Sequence, residues 1–184
     1  MSIDETFVAY HEAGHAVAAF DQRLRYKYVS IIPDDKGSLG QVQLASFPED
    51  FQPDIDVTLR DRLRIEKIVI INFAGSMAEA KYRGEEPEYG AECADDWKSA
   101  MDLASYACGS PEEEEAYVNW LFVRAKNMFN VPHIWQMVEG LAKELLVRKK
   151  IGYQTSREIM KEAAGFLKAN LVDGKIVLSP YKRH

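Results

Sequence analysis

The sequence predicts a mainly α-helical protein with a small β-hairpin or sheet, that is, an α+β fold. Apolar residues recur at helical spacing in several long segments, whereas one short region, residues 26–46, has the composition and alternation of strands. The sequence contains no internal repeat and no low-complexity segment, so a repeat architecture is not expected. A chain of 184 residues, 47% of them apolar, is long enough to form one domain around a hydrophobic core.

The first predicted elements are a helix and a hairpin. Asp4 can cap a helix that runs through Phe20, because an aspartate side chain accepts hydrogen bonds from the free N–H groups of a first turn. Residues 26–33 are rich in β-branched and aromatic side chains, and residues 41–46 alternate polar with apolar ones. The intervening DDKGSLG is typical of a turn, so the two strands are expected to pair as a hairpin.

The longest predicted helix begins at about Thr58 and ends near Tyr82. Gly84 can end it, because glycine adopts the left-handed conformation of a helix C-terminus at little cost. Apolar residues at helical spacing are expected to face the core, and they are Leu59, Leu63, Ile70, Phe73, Ala74 and Met77.

Four more helices are expected in the second half of the chain. They are residues 95–107, a helix that begins with SPEEEEAY, an amphipathic helix around residues 134–145, and a last helix opened by the capping box TSRE at 155–158. The four glutamates lie near the positive end of a helix dipole, which suits a solvated helix start better than a docking patch. The tail from about residue 170 has strand-like residues around an Asp-Gly turn, and its place in the fold is not predicted.

Composition and charge restrict the class of function. The net charge is −6 and there is no basic stripe, so nucleic acid is not expected as a partner. We find no secretory signal, no apolar segment long enough to span a bilayer and no phosphate-binding loop, and we expect a cytoplasmic protein without a membrane span. Cys93 and Cys108 are too few for a disulfide framework and are expected to be reduced thiols.

The segment FVAYHEAGHAVAAF carries the most specific chemical signal in the chain. In a helix, His11 and His15 lie one turn apart on one face, which suits two imidazoles that bind one Zn²⁺. Glu12 follows His11 directly and can hold a metal-bound water as general base. Buried imidazole and carboxylate groups need compensating partners. The pattern alone is also compatible with an ordinary hydrogen-bond network that holds the same side chains.

A catalytic zinc site takes three protein ligands, so two histidines do not complete it. The other histidines, His133 and His184, lie in remote segments, and the third ligand is therefore expected to be a carboxylate. Glu79 on the long helix and the neighbours Asp95 and Asp96 at the start of the next helix are the candidates.

Four motifs together resemble the peptidase domain of the FtsH-type zinc proteases, the ATP-dependent metalloproteases of bacteria, mitochondria and chloroplasts. These motifs are AYHEAGHAVAAF, VSIIPDDKGSLGQVQLASFP, FAGSMAEAKYRG and DDWKSAMDLA, in the family's order and rough spacing. The resemblance covers about residues 6–159. It implies an FtsH-like zinc peptidase domain of zincin fold over residues 1–169, followed by a C-terminal tail of unknown role at residues 170–184.

The resemblance also implies a metal and its ligands, which are Zn²⁺ held by His11, His15 and Asp96. Asp96 begins a D-x-x-x-A-x-x-x-A pattern like that of the family, whereas Asp95 is one residue out of phase and is the second choice. Glu12 matches the family's catalytic base. Glu79 matches a glutamate that would lie beside the site without binding the metal.

The activity that the resemblance implies is that of a zinc metalloendopeptidase, a hydrolase of the HExxH type acting on extended or unfolded polypeptide. Residues 39–45 would then pair with the substrate by β-augmentation, although a purely structural hairpin explains them equally well. The alternative function is a catalytically silent, metal-stabilised module that binds a peptide or protein. No segment resembles the family's ATPase module or membrane helices, so a separate ATPase or a homo-oligomer is a candidate partner.

Overall fold

The computed structural model of the protein describes residues 4–35, 37–87, 94–172 and 175–180. Six helices and a three-stranded antiparallel sheet account for most of this part of the chain, which confirms the predicted mainly helical α+β fold class. In chain order the elements are α1 (Glu5–Asp21), β1 (Tyr26–Ser30), β2 (Gln41–Leu44), α2 (Leu59–Arg83), α3 (Ala94–Ser105), α4 (Pro111–Phe129), α5 (Pro132–Arg148), β3 (Lys150–Gly152), α6 (Tyr153–Ala163), β4 (Leu167–Val172) and β5 (Lys175–Pro180).

The first helix and the hairpin form as predicted. The side chain of Asp4 accepts a hydrogen bond from the backbone N–H of Thr6 and caps α1. Strands β1 and β2 are antiparallel neighbours, but β3 joins the other side of β1 and was not predicted. The resulting order β2-β1-β3 leaves β2 at an edge of the sheet, within the part of the chain described.

Helix α2 has the predicted caps but not all of the predicted buried residues. Thr58 forms a capping box, and Gly84 ends the helix in the left-handed conformation. Leu59 and Leu63, expected in the core, are 82% and 59% exposed. The buried face of these turns instead includes Asp61. It follows Leu59 by two residues and therefore lies roughly 200° from Leu59 around the helix axis.

The last helix begins at Tyr153, three residues earlier than a capping box at 155–158 requires, so the proposed capping box is wrong. Gly152 occupies the N-cap and no side chain caps the helix. Ser156, at the second position of the motif, is instead buried within the first turn, where its hydroxyl donates to the carbonyl of Tyr153 and lies 2.6 Å from the hydroxyl of Tyr26 on β1. The segment that was predicted to cap the helix therefore contributes a buried tertiary contact through Ser156.

The C-terminal tail contains a second, two-stranded sheet. Strands β4 and β5 pair as an antiparallel hairpin in which Leu167 lies opposite Pro180. This hairpin begins before residue 170, the predicted start of the tail. No helix within the described ranges is both long and apolar enough to cross a membrane.

Helices α1 and α2 pack against each other at the centre of the core. The two helices approach closely at Gly14, where a Cβ atom would lie 2.6 Å from the Cβ of Ala78 and would overlap the carbonyl oxygen of Ala74. The backbones of α1 and α2 can approach this closely because Gly14 has no side chain. The core extends from this contact to the predicted apolar positions of α5, all of which are buried: Ile134, Val138, Leu141 and Leu145.

We predict that Gly14→Ala lowers the free energy of unfolding by about 1–3 kcal/mol, because the added methyl group forces α1 away from α2. Ser76→Ala is the control, since it adds no atom to α2 and its hydroxyl bonds only to the carbonyl of Phe73 in the same helix, and its change should stay within about 0.5 kcal/mol. Urea unfolding followed by circular dichroism measures both variants. Equal stability of Gly14→Ala and the unmodified chain would contradict the close packing of these helices.

Candidate metal centre

The two histidines of the HExxH motif and one aspartate converge on a single point. The Nε2 atoms of His11 and His15 are 3.0 Å apart, and the Oδ2 atom of Asp96 lies 3.2 Å from each of them. Helix α1 supplies both imidazoles, and the first turn of α3 supplies the carboxylate. The structure therefore brings together three side chains that could hold a metal ion.

Hydrogen bonds on the far side of each ring determine which nitrogen carries the proton. His15 Nδ1 lies 2.6 Å from the carbonyl oxygen of Ile71, which can only accept, so Nδ1 is the protonated atom. His11 Nδ1 lies 3.2 Å from Oε2 of Glu79 and donates to that carboxylate in the same way. In the neutral rings, both Nε2 atoms then carry the lone pairs, and these atoms face Asp96.

The donor set fits a divalent metal ion. In the neutral rings, two nitrogen lone pairs and a carboxylate oxygen face one another at 3.0–3.2 Å, and a cation between them would stabilise this arrangement. Ligands of a tetrahedral ion with bonds of roughly 2.0–2.1 Å are about 3.3 Å apart, close to the separations found here. Two imidazoles and one carboxylate suit Zn²⁺ but also other first-row divalent ions, so the donor set does not identify the metal.

Asp96, rather than the other two candidate carboxylates, occupies the third position. Burial alone would raise the pKa of Asp96, but His15 and His11, where protonated and donating to this carboxylate in the absence of a metal ion, outweigh burial and hold that pKa well below its usual range. Asp95 is exposed and lines the same cavity, outside the converging group.

Glu79 orients one ligand without joining the group. Its Oε2 atom accepts from His11, and its Oε1 atom forms an ion pair with Arg83 one turn later on α2. The hydrogen bond from His11 is the main reason that the pKa of Glu79 is lowered, and the charge of Arg83 contributes to the same effect. Glu79 therefore stays ionised and holds the ring of His11 in place.

Glu12 is buried beside the ligands with one oxygen unused. It is 6% exposed, and its Oε2 atom has no hydrogen-bond partner among the residues that the structure describes. Burial raises the pKa of this carboxyl, although His15 and His11 partly oppose the shift. Gly40, just before β2, packs on the same side chain, since a Cβ there would lie 2.7 Å from Cγ of Glu12. Such a carboxylate can accept a proton at Oε2.

Two site residues, Gly75 and Asn72, were missed by the sequence analysis. A Cβ atom at Gly75 would lie 2.5 Å from Nε2 of His11 and would also overlap Nε2 of His15, so only glycine leaves room for both rings. Asn72 lines the same cavity, which measures about 610 Å³. The signal that could have found Asn72 is its polarity within the otherwise apolar run IVIINFAG.

The remaining histidine and cysteine of the described residues lie outside this group. His133 is exposed at the start of α5 and lines a different cavity. Cys108 is a free thiol whose pKa is raised by burial and by nearby glutamates, so it lacks the thiolate character of a metal ligand. Cys93 and His184 lie outside the described residues.

Neither a comparison with known protein families nor a search of curated proteins found a match to the chain. The resemblance carried by the four motifs therefore stays a prediction, and the interpretation of the site rests on its own geometry.

We predict that Asp96→Asn lowers the metal affinity more than roughly 100-fold, because it removes the anionic ligand. Loss of a residue that only hydrogen-bonds a ligand typically lowers metal affinity by roughly 10–100-fold. Asp95→Asn, the matched control on the neighbouring residue, should leave the affinity nearly unchanged. Competition with a chromophoric chelator measures both. A larger effect at Asp95 would show that the start of α3 is shifted by one residue.

We also predict that Gly75→Ala abolishes tight metal binding, since the new methyl group would displace both imidazoles from the metal position. Ser76→Ala is the control, because the Ser76 hydroxyl bonds only to the carbonyl of Phe73 within its own helix. Metal content after dialysis, measured beside the circular dichroism spectrum, separates loss of the site from loss of the fold. A Gly75→Ala protein that retained its metal would refute the proposed placement of the rings.

Proposed function

We propose that the protein is a zinc-dependent metalloendopeptidase, an FtsH-like zincin domain that hydrolyses peptide bonds in extended or unfolded polypeptide. The observation that carries the proposal is the buried Glu12, whose unused Oε2 lies beside three converging ligand atoms. A structural metal site needs no such group, because an unpartnered buried carboxylate costs stability. This argument favours the peptidase over a catalytically silent binding module.

Zn²⁺ bound by His11, His15 and Asp96 would lower the pKa of a water molecule towards about 7 and polarise the scissile carbonyl. Glu12 accepts a proton at Oε2 from the water that adds to the carbonyl carbon. As the C–N bond breaks, the same oxygen returns the proton to the leaving nitrogen, which departs as an amine. Burial raises the pKa of Glu12, which makes its carboxylate a stronger proton acceptor.

Strand β2 supports the proposal of an extended substrate. It lies at the edge of the sheet as described, and Gln41, Val42 and Leu44 line the cavity that contains the metal ligands. A peptide that paired with this edge would use its main chain for binding and would pass Glu12. Main-chain pairing gives little sequence preference, which is the behaviour expected towards unfolded polypeptide. A separate ATPase would supply such chains, and a homo-oligomer is the other candidate assembly.

We predict that Glu12→Gln lowers the rate of hydrolysis of denatured casein by roughly 10²–10⁴-fold while the metal stays bound, because an amide cannot accept the proton of water. The melting temperature should stay equal or rise. Burial raises the pKa of Glu12, so folding disfavours its ionised form at neutral pH, and the substitution removes this carboxylate.

Glu5→Gln is the matched control, because Glu5 lies on the same helix but is exposed and pairs with Lys149. Its rate should equal that of the unmodified chain, and a chelator should abolish the hydrolysis of both. A Glu12→Gln protein that stayed active but had a lower melting temperature would contradict the proposed mechanism and favour a structural role for Glu12.

A further inference from the structure

One face of α2 is directed towards the metal centre in three successive turns. Gly75 leaves room for the Nε2 atoms of both histidines, and Glu79 accepts a hydrogen bond from His11 on the other side of that ring. Asn72 precedes them by three and seven residues, and this spacing places all three on one side of a helix. Asn72 accordingly lines the cavity of the site.

The structure gives Gly75 and Glu79 a purpose at the metal centre, but it gives none to the side chain of Asn72. Its amide is half-buried and makes no hydrogen bond within residues 4–35, 37–87 and 95–166, whose side chains are described. Its neighbours in α2, from Ile68 to Ala74, are apolar. Asparagine is a poorer helix former than leucine, and a half-buried amide without a partner is unfavourable, so the folded state gains nothing from it.

Other polar side chains of the cavity already have partners. Gln41 donates from Nε2 to the hydroxyl of Tyr28, and the hydroxyl of Ser38 donates to the carbonyl of Gly40. Glu79 pairs with Arg83 as well as with His11. The amide of Asn72 therefore differs from these groups in having both its donors and its acceptor available to whatever enters the cavity.

We propose that Asn72 contacts the substrate, and that its side-chain amide hydrogen-bonds a main-chain amide of the polypeptide held in the cavity. A primary amide offers N–H donors and a carbonyl acceptor, which complement the C=O and N–H groups of an extended peptide. Because the group is neutral, it favours no charged residue and no terminal carboxylate. The inference rests on the proposed peptidase function and names a contact that this function requires.

The test measures turnover and binding separately. Asn72→Leu keeps the approximate shape of the side chain and removes its amide. We expect kcat/KM for a fluorescence-quenched, casein-derived peptide to fall by about 3- to 10-fold. In the Glu12→Gln background, where the peptide stays intact, the Kd of its fluorescein-labelled form should rise by the same factor in fluorescence anisotropy. Ser76→Ala, one turn later on α2, should change neither value more than twofold. Asn72→Ala repeats the measurement with a smaller side chain.

A substrate series identifies the contact itself. Replacing one backbone amide of the labelled peptide with an ester removes an N–H and weakens a carbonyl acceptor. At the contacted position this replacement should raise the Kd of the chain that retains Asn72, but not that of the Asn72→Leu chain. Such coupling between protein and peptide changes is a signature that a merely structural asparagine cannot give.

The outcomes separate this inference from the proposed function. If the unmodified chain cleaves the peptide but no Asn72 variant changes kcat/KM or Kd more than twofold, the contact is refuted and the peptidase stands. If the Glu12→Gln chain binds the peptide that the unmodified chain does not cleave, the peptidase fails, while coupling in Kd still supports Asn72. A lowered melting temperature with unchanged Kd makes Asn72 structural and overturns the inference.

Discussion

The close contact of α1 with α2 is the constraint on which the site depends. Gly14 lets the two backbones meet at Ala74 of α2. Gly75, the next residue of that helix, leaves a space that both imidazole rings fill. The carbonyl of Ile71, also on α2, then lies within hydrogen-bond distance of His15. Helix α2 thus fixes the positions and proton states of the rings that α1 carries, and a wider separation of the helices would lose all of these contacts together.

The site contains a buried carboxylate that is only partly compensated. Most of the buried residues are apolar, and the buried Ser156 and Asp61 both have hydrogen-bond partners. One buried oxygen of Glu12 has no hydrogen-bond partner in the described part of the chain. Arg64 Nη1 also lacks a hydrogen bond there, but it lies 3.6 Å from the carboxylate of Asp61, which balances its charge. Proteins tolerate such groups where function requires them, and the surrounding helices must supply the compensating stability.

Local signals in the sequence predicted the elements that carry the site, but not all of the site itself. Asp4 and Gly84 mark helix ends through their own backbone preferences, so α1 and α2 could be delimited without knowledge of the fold. Ligand chemistry alone left three carboxylates as candidates for the third metal ligand, and only the D-x-x-x-A-x-x-x-A pattern that begins at Asp96 distinguished one of them. Asn72 could not be assigned, because its direction depends on how α2 is rotated against α1. The same holds for β3, a three-residue strand that exists through its pairing with β1.

The packing of Gly40 on Glu12 links two properties that enzymes usually vary independently. The backbone that leads into the edge strand rests on the carboxylate side chain, so a substitution that reshapes this loop also moves Glu12. Under the proposed function, substrate preference would be set along β2 and reaction rate by the position of that carboxylate. Evolution of a new preference through this loop would then alter turnover at the same time, which narrows the routes by which such a scaffold can diversify.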